Sequence, residues 1–165
     1  MGKIILVKNR ALAAAGVSAL MCISLVSFTG LSGAEQSEVK ALLKKRTEIM
    51  ESMLSGSISY SEGKDRLSDI ESGELLKKDL RELGSYDDTD YEHIYDMRFA
   101  DMKKTGSVSG MNSYEAEICW IYEVRDRTEK DRVVYRISTR REHGTVRLVT
   151  FIPDPDAADS SSSKS

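Results

Sequence analysis

The chain has 165 residues, 40% of them apolar and 31% charged, with a formal net charge of −3. That length allows one domain with accessory segments, and the composition suits a soluble domain behind a short hydrophobic stretch. After residue 34 there are 21 bases against 27 acids, with the acidity concentrated in residues 35–92, which excludes the basic footprint of a nucleic-acid binder.

Residues 1–10 carry Lys3, Lys8 and Arg10 and no acid, and residues 11–31 carry no charge at all. An uncharged run of this length is sufficient to span the roughly 30 Å hydrocarbon layer as a helix. The basic flank predicts a cytoplasmic N-terminus with the rest exported. Two readings stand for residues 1–34. One is an uncleaved membrane anchor. The other is a signal peptide cut before Glu35, with Ser32 and Ala34 as the small residues at −3 and −1. Cys22 follows Leu20 and Met21, which does not fit a lipobox. Cys119 is the other cysteine, so the exported part is expected to fold without a disulfide.

Residues 35–84 read as a helical part. Val39, Leu42, Leu43, Ile49, Met50, Met53 and Leu54 recur at helical spacing over 36–55, with Ser37 as N-cap and Gly56 as the stop. Ser59 and Glu62 have capping-box spacing ahead of a second helix, which Gly63 weakens. Leu75, Leu76, Leu80 and Leu83 mark a third helix ending at Gly84.

Residues 85–155 read as an antiparallel sheet, entered through an acidic, turn-rich linker. Asp87, Asp88 and Asp90 do not meet the EF-hand pattern, because the sixth and twelfth positions are Glu92 and Arg98. Residues 93–104 read as a strand, with a helix as the alternative because both alternating sets hold apolar residues, and residues 105–113 read as a flexible connection. The central strand is 114–125, where Tyr114, Ala116, Ile118, Trp120, Tyr122 and Val124 share one face. A polar loop at 126–131 predicts a hairpin pairing Val124 with Val133, Tyr122 with Tyr135, Trp120 with Ile137 and Ile118 with Thr139. On the other face that register sets Ile121 against Arg136 and Glu117 against Arg140. A turn at 142–144 leads to the last strand, 145–152, which is apolar on both faces. Pro153 stops it, and residues 156–165 are expected to be disordered.

The chemistry-bearing residues are sparse. His93 and His143 with one exported thiol have no metal-ligand spacing, and no nucleophile elbow, P-loop or dinucleotide fingerprint occurs. No catalytic residue, metal or cofactor is therefore expected. Cys119 reads as a strand residue, and Glu115 and Glu117 as cross-strand partners of arginines. Arg98, Arg125, Arg136, Arg140, Arg141 and Arg147 read as a self-neutralised solvent face. Trp120, Tyr122 and Tyr135 are the candidate ligand-binding residues, lining a pocket if the helices fold over a curved sheet; as core they need no ligand.

The fold class is therefore α+β: three N-terminal helices packed on a four-stranded antiparallel meander, behind one transmembrane or signal helix. In its element order, residues 36–152 resemble the cystatin-like and NTF2-like small domains. The chain departs from the NTF2 pattern in placing all helices before all strands. The resemblance implies a scaffold used mostly for assembly or binding and sometimes for catalysis, and no family catalytic residue maps onto this sequence. The expected function is a non-catalytic, extracytoplasmic module, membrane-tethered or secreted, that binds a protein or envelope component. The alternative is an NTF2-like small-ligand binder or enzyme using the aromatic sheet face.

Overall fold

The computed structural model describes residues 32–85, 93–124 and 127–157. The anchor or leader segment, the linker carrying Asp87, Asp88 and Asp90, Arg125 and most of the C-terminal tail lie outside the described residues. Among the described residues no helix is long and apolar enough to cross a membrane. Three helices, α1 (Ser32–Leu54), α2 (Tyr60–Ile70) and α3 (Gly73–Gly84), precede four strands, β1 (His93–Val108), β2 (Met111–Val124), β3 (Arg127–Glu142) and β4 (Thr145–Pro153). The sheet is an antiparallel meander in the order β1-β2-β3-β4.

The helix starts differ from expectation where local bonding competes with a cap. Helix α1 begins at Ser32, so Ala34 and Glu35 lie in its first turns. Ser37 is inside it, and its hydroxyl donates back to the Gly33 carbonyl at 2.8 Å instead of capping. Ser59 does cap α2, accepting from the Glu62 N–H at 3.2 Å. Ser59→Ala is expected to destabilise the domain by about 1 kcal/mol, read from urea denaturation. Gly63 is no defect in α2. A Cβ there would lie 2.1 Å from the Met53 sulfur, so the glycine lets α2 pack directly on α1.

Bulges settle the two ambiguous strands. In β1 the pairing with β2 skips at Tyr95, Ala100 and Thr105. Each extra residue reverses the alternation, which brings Ile94, Met97 and Met102 into the core and leaves Tyr95 75% exposed. In β4 the register shift opposite Ser138 and Thr139 returns Phe151 to the face of Val146 and Leu148.

Two expected loops are strand instead. β1 runs on through residues 105–108, and β2 starts at Met111 after a two-residue turn. Ser109 (φ 49°) and Gly110 (φ 77°) are both left-handed there, the geometry of a tight hairpin. His143 (φ 51°) and Gly144 (φ 86°) repeat it between β3 and β4. The expected loop at 126–131 also gives way, because β3 begins at Arg127.

The β2–β3 register therefore differs from the predicted one. Tyr114 faces Ile137, Ala116 faces Tyr135 and Ile118 faces Val133, while Trp120 and Tyr122 face Asp131 and Glu129. The slip is an even number of residues, so every side chain keeps its predicted face. The longer β3 extends the ladder by pairs that a loop at 127–131 would have left unbonded, which outweighs apolar matching along the strand.

The helices cover one sheet face. Val39, Leu43 and Leu75 pack with Trp120, Tyr135, Ile137, Leu148 and Phe151. A second cluster, Ile49, Met50, Leu67, Ile70 and Leu83, binds the helices together. Between α2 and α3 the chain touches the sheet edge. Glu71 forms a single parallel bridge to Leu148, and the Ser72 N–H donates to the Leu148 carbonyl at 2.9 Å. The strict helix-then-strand order is thus broken by one bridging residue.

Candidate functional site

The aromatic residues singled out above, Trp120, Tyr122 and Tyr135, are all buried in one core cluster. Trp120 and Tyr135 are 0% and 1% exposed. The Trp120 indole N–H donates to the Tyr135 hydroxyl at 3.0 Å, with the rings edge-on at 6.1 Å. Tyr135 in turn stacks on Phe151 at 4.3 Å. Burial pushes the Tyr135 hydroxyl up to about 12, so it stays protonated while its oxygen accepts from Trp120. Tyr122, two residues along from Trp120 on the same strand, is also buried, at 3% exposure, and contributes to the lining of the groove described below.

Below the aromatic wall is a buried ion cluster that the periodicity of the helices does not reveal. Arg46 of α1 is 3% exposed, Glu71 at the end of α2 is 0% and Asp79 of α3 is 1%. Arg46 Nε donates to Glu71 Oε1 at 2.7 Å and to Asp79 Oδ2 at 2.8 Å, and Arg46 Nη2 donates to Asp79 as well. The guanidinium carbon sits 5.0 Å from the centre of the Phe151 ring. Arg46 Nη1 and Glu71 Oε2 have no hydrogen-bond partner among the described residues.

One cation between two carboxylates in a dry interior favours a proton on one of them. Burial, with help from Asp79 and against the pull of Arg46, raises Glu71 to about 8. The same carboxylates hold the Arg46 proton more firmly than usual, against the effect of burial. In sequence the signal was present but faint. Arg46 lies seven residues after the buried Val39, and Asp79 sits four residues from both Leu75 and Leu83, on inward helical positions.

Among the described residues, one open feature is a groove of about 310 Å³ on the end of the sheet away from the two hairpin turns. It is lined by Tyr95, Arg98, Ile121, Tyr122, Glu123, Thr128 and Lys130. The β1 bulge turns Tyr95 outward beside it, and Ile121, only 6% exposed, forms an apolar floor. Arg98 is held by Asp96 at 2.6 Å, which fixes one wall.

The remaining candidates have local partners. His93 Nδ1 lies 2.8 Å from Glu51, tying β1 to α1. Glu115 pairs with Lys103 at 2.7 Å, and Glu117 pairs across the strands with Arg132 at 3.3 Å in place of Arg140. Arg136 meets Asp154 and Asp156, Arg141 meets Glu38 and Arg147 meets Glu142. Asp156 thereby belongs to a short 3₁₀ turn, Pro155–Ala157, and not to a disordered tail. Cys119, half-buried on the outer face, is a free thiol whose register neighbours are Arg98 and Arg132. Among the described residues no cluster of histidine, cysteine and carboxylate side chains could hold a metal ion.

No family model matches the chain, and no curated protein matches it. Among solved structures it is similar to Aln2 from a Streptomyces species, with a TM-score of 0.53 and 12% identity over 79% of this chain and 97% of that one. It also matches the beta subunit of the benzoate 1,2-dioxygenase from Burkholderia mallei, at a TM-score of 0.45 and 10% identity, covering 73% and 91% of the two chains. The α+β fold with its antiparallel sheet is compatible with the NTF2-like class. At this identity the likeness is one of fold, and what the domain does is decided by its own residues.

Proposed function

We propose that this chain is a binding domain, held at a membrane by residues 11–31 or released from it, that takes up its ligand in the groove between Tyr95 and Lys130 and performs no bond chemistry itself. The observation that carries this reading is the division of the aromatic residues. Trp120, Tyr122 and Tyr135 are all enclosed in the core beneath α1, with Trp120 bonded to Tyr135, whereas Tyr95 meets solvent beside the aliphatic floor of Ile121. A groove of about 310 Å³ is at the lower end for a small-molecule site. It suits one aromatic or sugar ring, presented by an envelope component or a protein, with Arg98, Thr128 and Lys130 available to polar edges.

The test is a chemical-shift titration with ring compounds and wall-sugar fragments. Shifts are expected at Ile121, Glu123 and Thr128. Tyr95→Ala should weaken binding about tenfold or more, equivalent to about 1.4 kcal/mol, with the unfolding midpoint unchanged because the side chain is exposed.

A second reading is favoured by the two unpartnered buried atoms, Arg46 Nη1 and Glu71 Oε2. Here the domain is an NTF2-like small-ligand binder or enzyme using the Trp120, Tyr122 and Tyr135 face above the ion cluster. Such a ligand has to displace α1 side chains. Perturbation of the Trp120 indole and Arg46 signals, with the groove silent, would select this reading over the first.

A further inference from the structure

The two hairpin turns and the first turns of α1 share one end of the domain. Glu35 accepts from Lys104 of β1 at 2.8 Å, and Glu38 lies 3.4 Å from Arg141 of β3. Farther along, Glu51 meets His93 and the Ile94 N–H at the start of β1. Helix α1 therefore runs antiparallel to β1, with its beginning clamped near the β1–β2 and β3–β4 turns. In sequence the uncharged run 11–31 ends immediately before Ser32, the first residue of α1.

The β1–β2 hairpin projects past the helix. From Lys104 to Val108 the strand advances about 10 Å, three rungs of the ladder at roughly 3.3 Å each, because Thr105 is bulged out. From Glu35 back to Ser32 the helix advances only about 4.5 Å, at 1.5 Å per residue. At the projecting tip Val108 is 69% exposed, one of the few large apolar side chains so exposed, and Met111 beside it is half-buried. Behind the tip are Lys103, Lys104, Arg140, Arg141 and Arg147. Glu115, Glu35, Glu38 and Glu142 engage four of these bases. Arg140, exposed and opposite Met111 in the ladder, has no ion-pair partner among the described residues.

From these placements we propose that the hairpin-turn end of the domain is a membrane-contact surface. Val108 and Met111 enter the headgroup layer, and Arg140 reaches an anionic lipid phosphate. The proposal rests on residues 11–31 being a retained anchor. It orients the domain with the groove between Tyr95 and Lys130 pointing away from the bilayer, where a ligand can reach it. The apolar tip supplies contact, and a single uncompensated arginine supplies attraction that salt weakens only modestly.

The experiment uses the full chain, with Cys22→Ser and Cys119→Ser, in vesicles of phosphatidylcholine and phosphatidylglycerol. Spin labels are placed singly at Val108→Cys and Lys130→Cys. The label at 108 should gain accessibility to oxygen and lose accessibility to a water-soluble nickel chelate relative to the label at 130. Arg140→Glu should reduce that difference. If the chain stays with the vesicles but the two labels are equally open to the chelate, the contact surface is overturned and the anchor stands. If the chain leaves the vesicles altogether, the anchor fails and this proposal fails with it.

Discussion

Replacing Arg46 with alanine should destabilise the domain by about 3–5 kcal/mol, measured as a lower urea midpoint. The substitution leaves Glu71 and Asp79 facing each other in the interior with no cation between them. It also strips the guanidinium from Phe151 and opens space where α1, α2, α3 and β4 meet. Domains of this size have only about 5–15 kcal/mol in total, so the loss is a large share of the margin. The whole triad replaced by well-packed apolar residues should recover much of the loss, because the damage comes from stranded charge and not from the absence of an ion pair.

The same cluster sets a pH dependence whose sign follows from the Glu71 shift. Its folded value is about 8, above the ordinary 4.5, so the folded state holds the proton more tightly than the unfolded chain. The contribution is complete below about 4.5 and is lost as the pH rises through about 8. Arg46 and Asp79 face this carboxyl directly, and Glu82 lies close enough to feel both. Glu71→Gln keeps the shape and removes the titration. Stability curves of the two proteins should therefore diverge in favour of the variant as the pH is raised from about 5 to about 9. Parallel curves over that range would show that Glu71 is already ionised in the folded protein.

The second large effect is expected at Trp120. Trp120→Ala removes the largest fully buried side chain and should cost about 3–5 kcal/mol, with a cavity against Tyr135 and Leu43. Tyr135→Phe is the milder probe. It keeps the stack on Phe151 but leaves the indole N–H without its acceptor, at a cost of about 1–3 kcal/mol. Comparing the two separates packing from hydrogen bonding at the aromatic wall. If both variants unfold like the parent, the helices do not close over this face, and the interior-ligand reading gains.

Several features were legible in the residues alone because they depend on local periodicity. The helix spacing from Val39 to Leu54, the Ser59 cap and the left-handed Gly144 turn each follow from short-range sterics and hydrogen bonding. The inward face of β2 was equally clear, since alternation in a strand is fixed by the backbone. Register was not. A hairpin can pair through a longer loop or a tighter turn, and only the completed ladder decides between them. Nor could the bulge at Tyr95 be read, because both alternating sets of β1 are apolar and the partner strand selects one.

The sequence by itself determined the α+β class, the helix-then-meander order and the scarcity of chemistry-bearing groups. Tertiary structure alone brought Arg46, Glu71 and Asp79 together from three separate helical segments. It also divided Trp120 and Tyr135 from the groove at Tyr95 and set the hairpin tip beside the start of α1. Each of these is a meeting of residues far apart in the chain, and such meetings are fixed by packing, which no local pattern encodes.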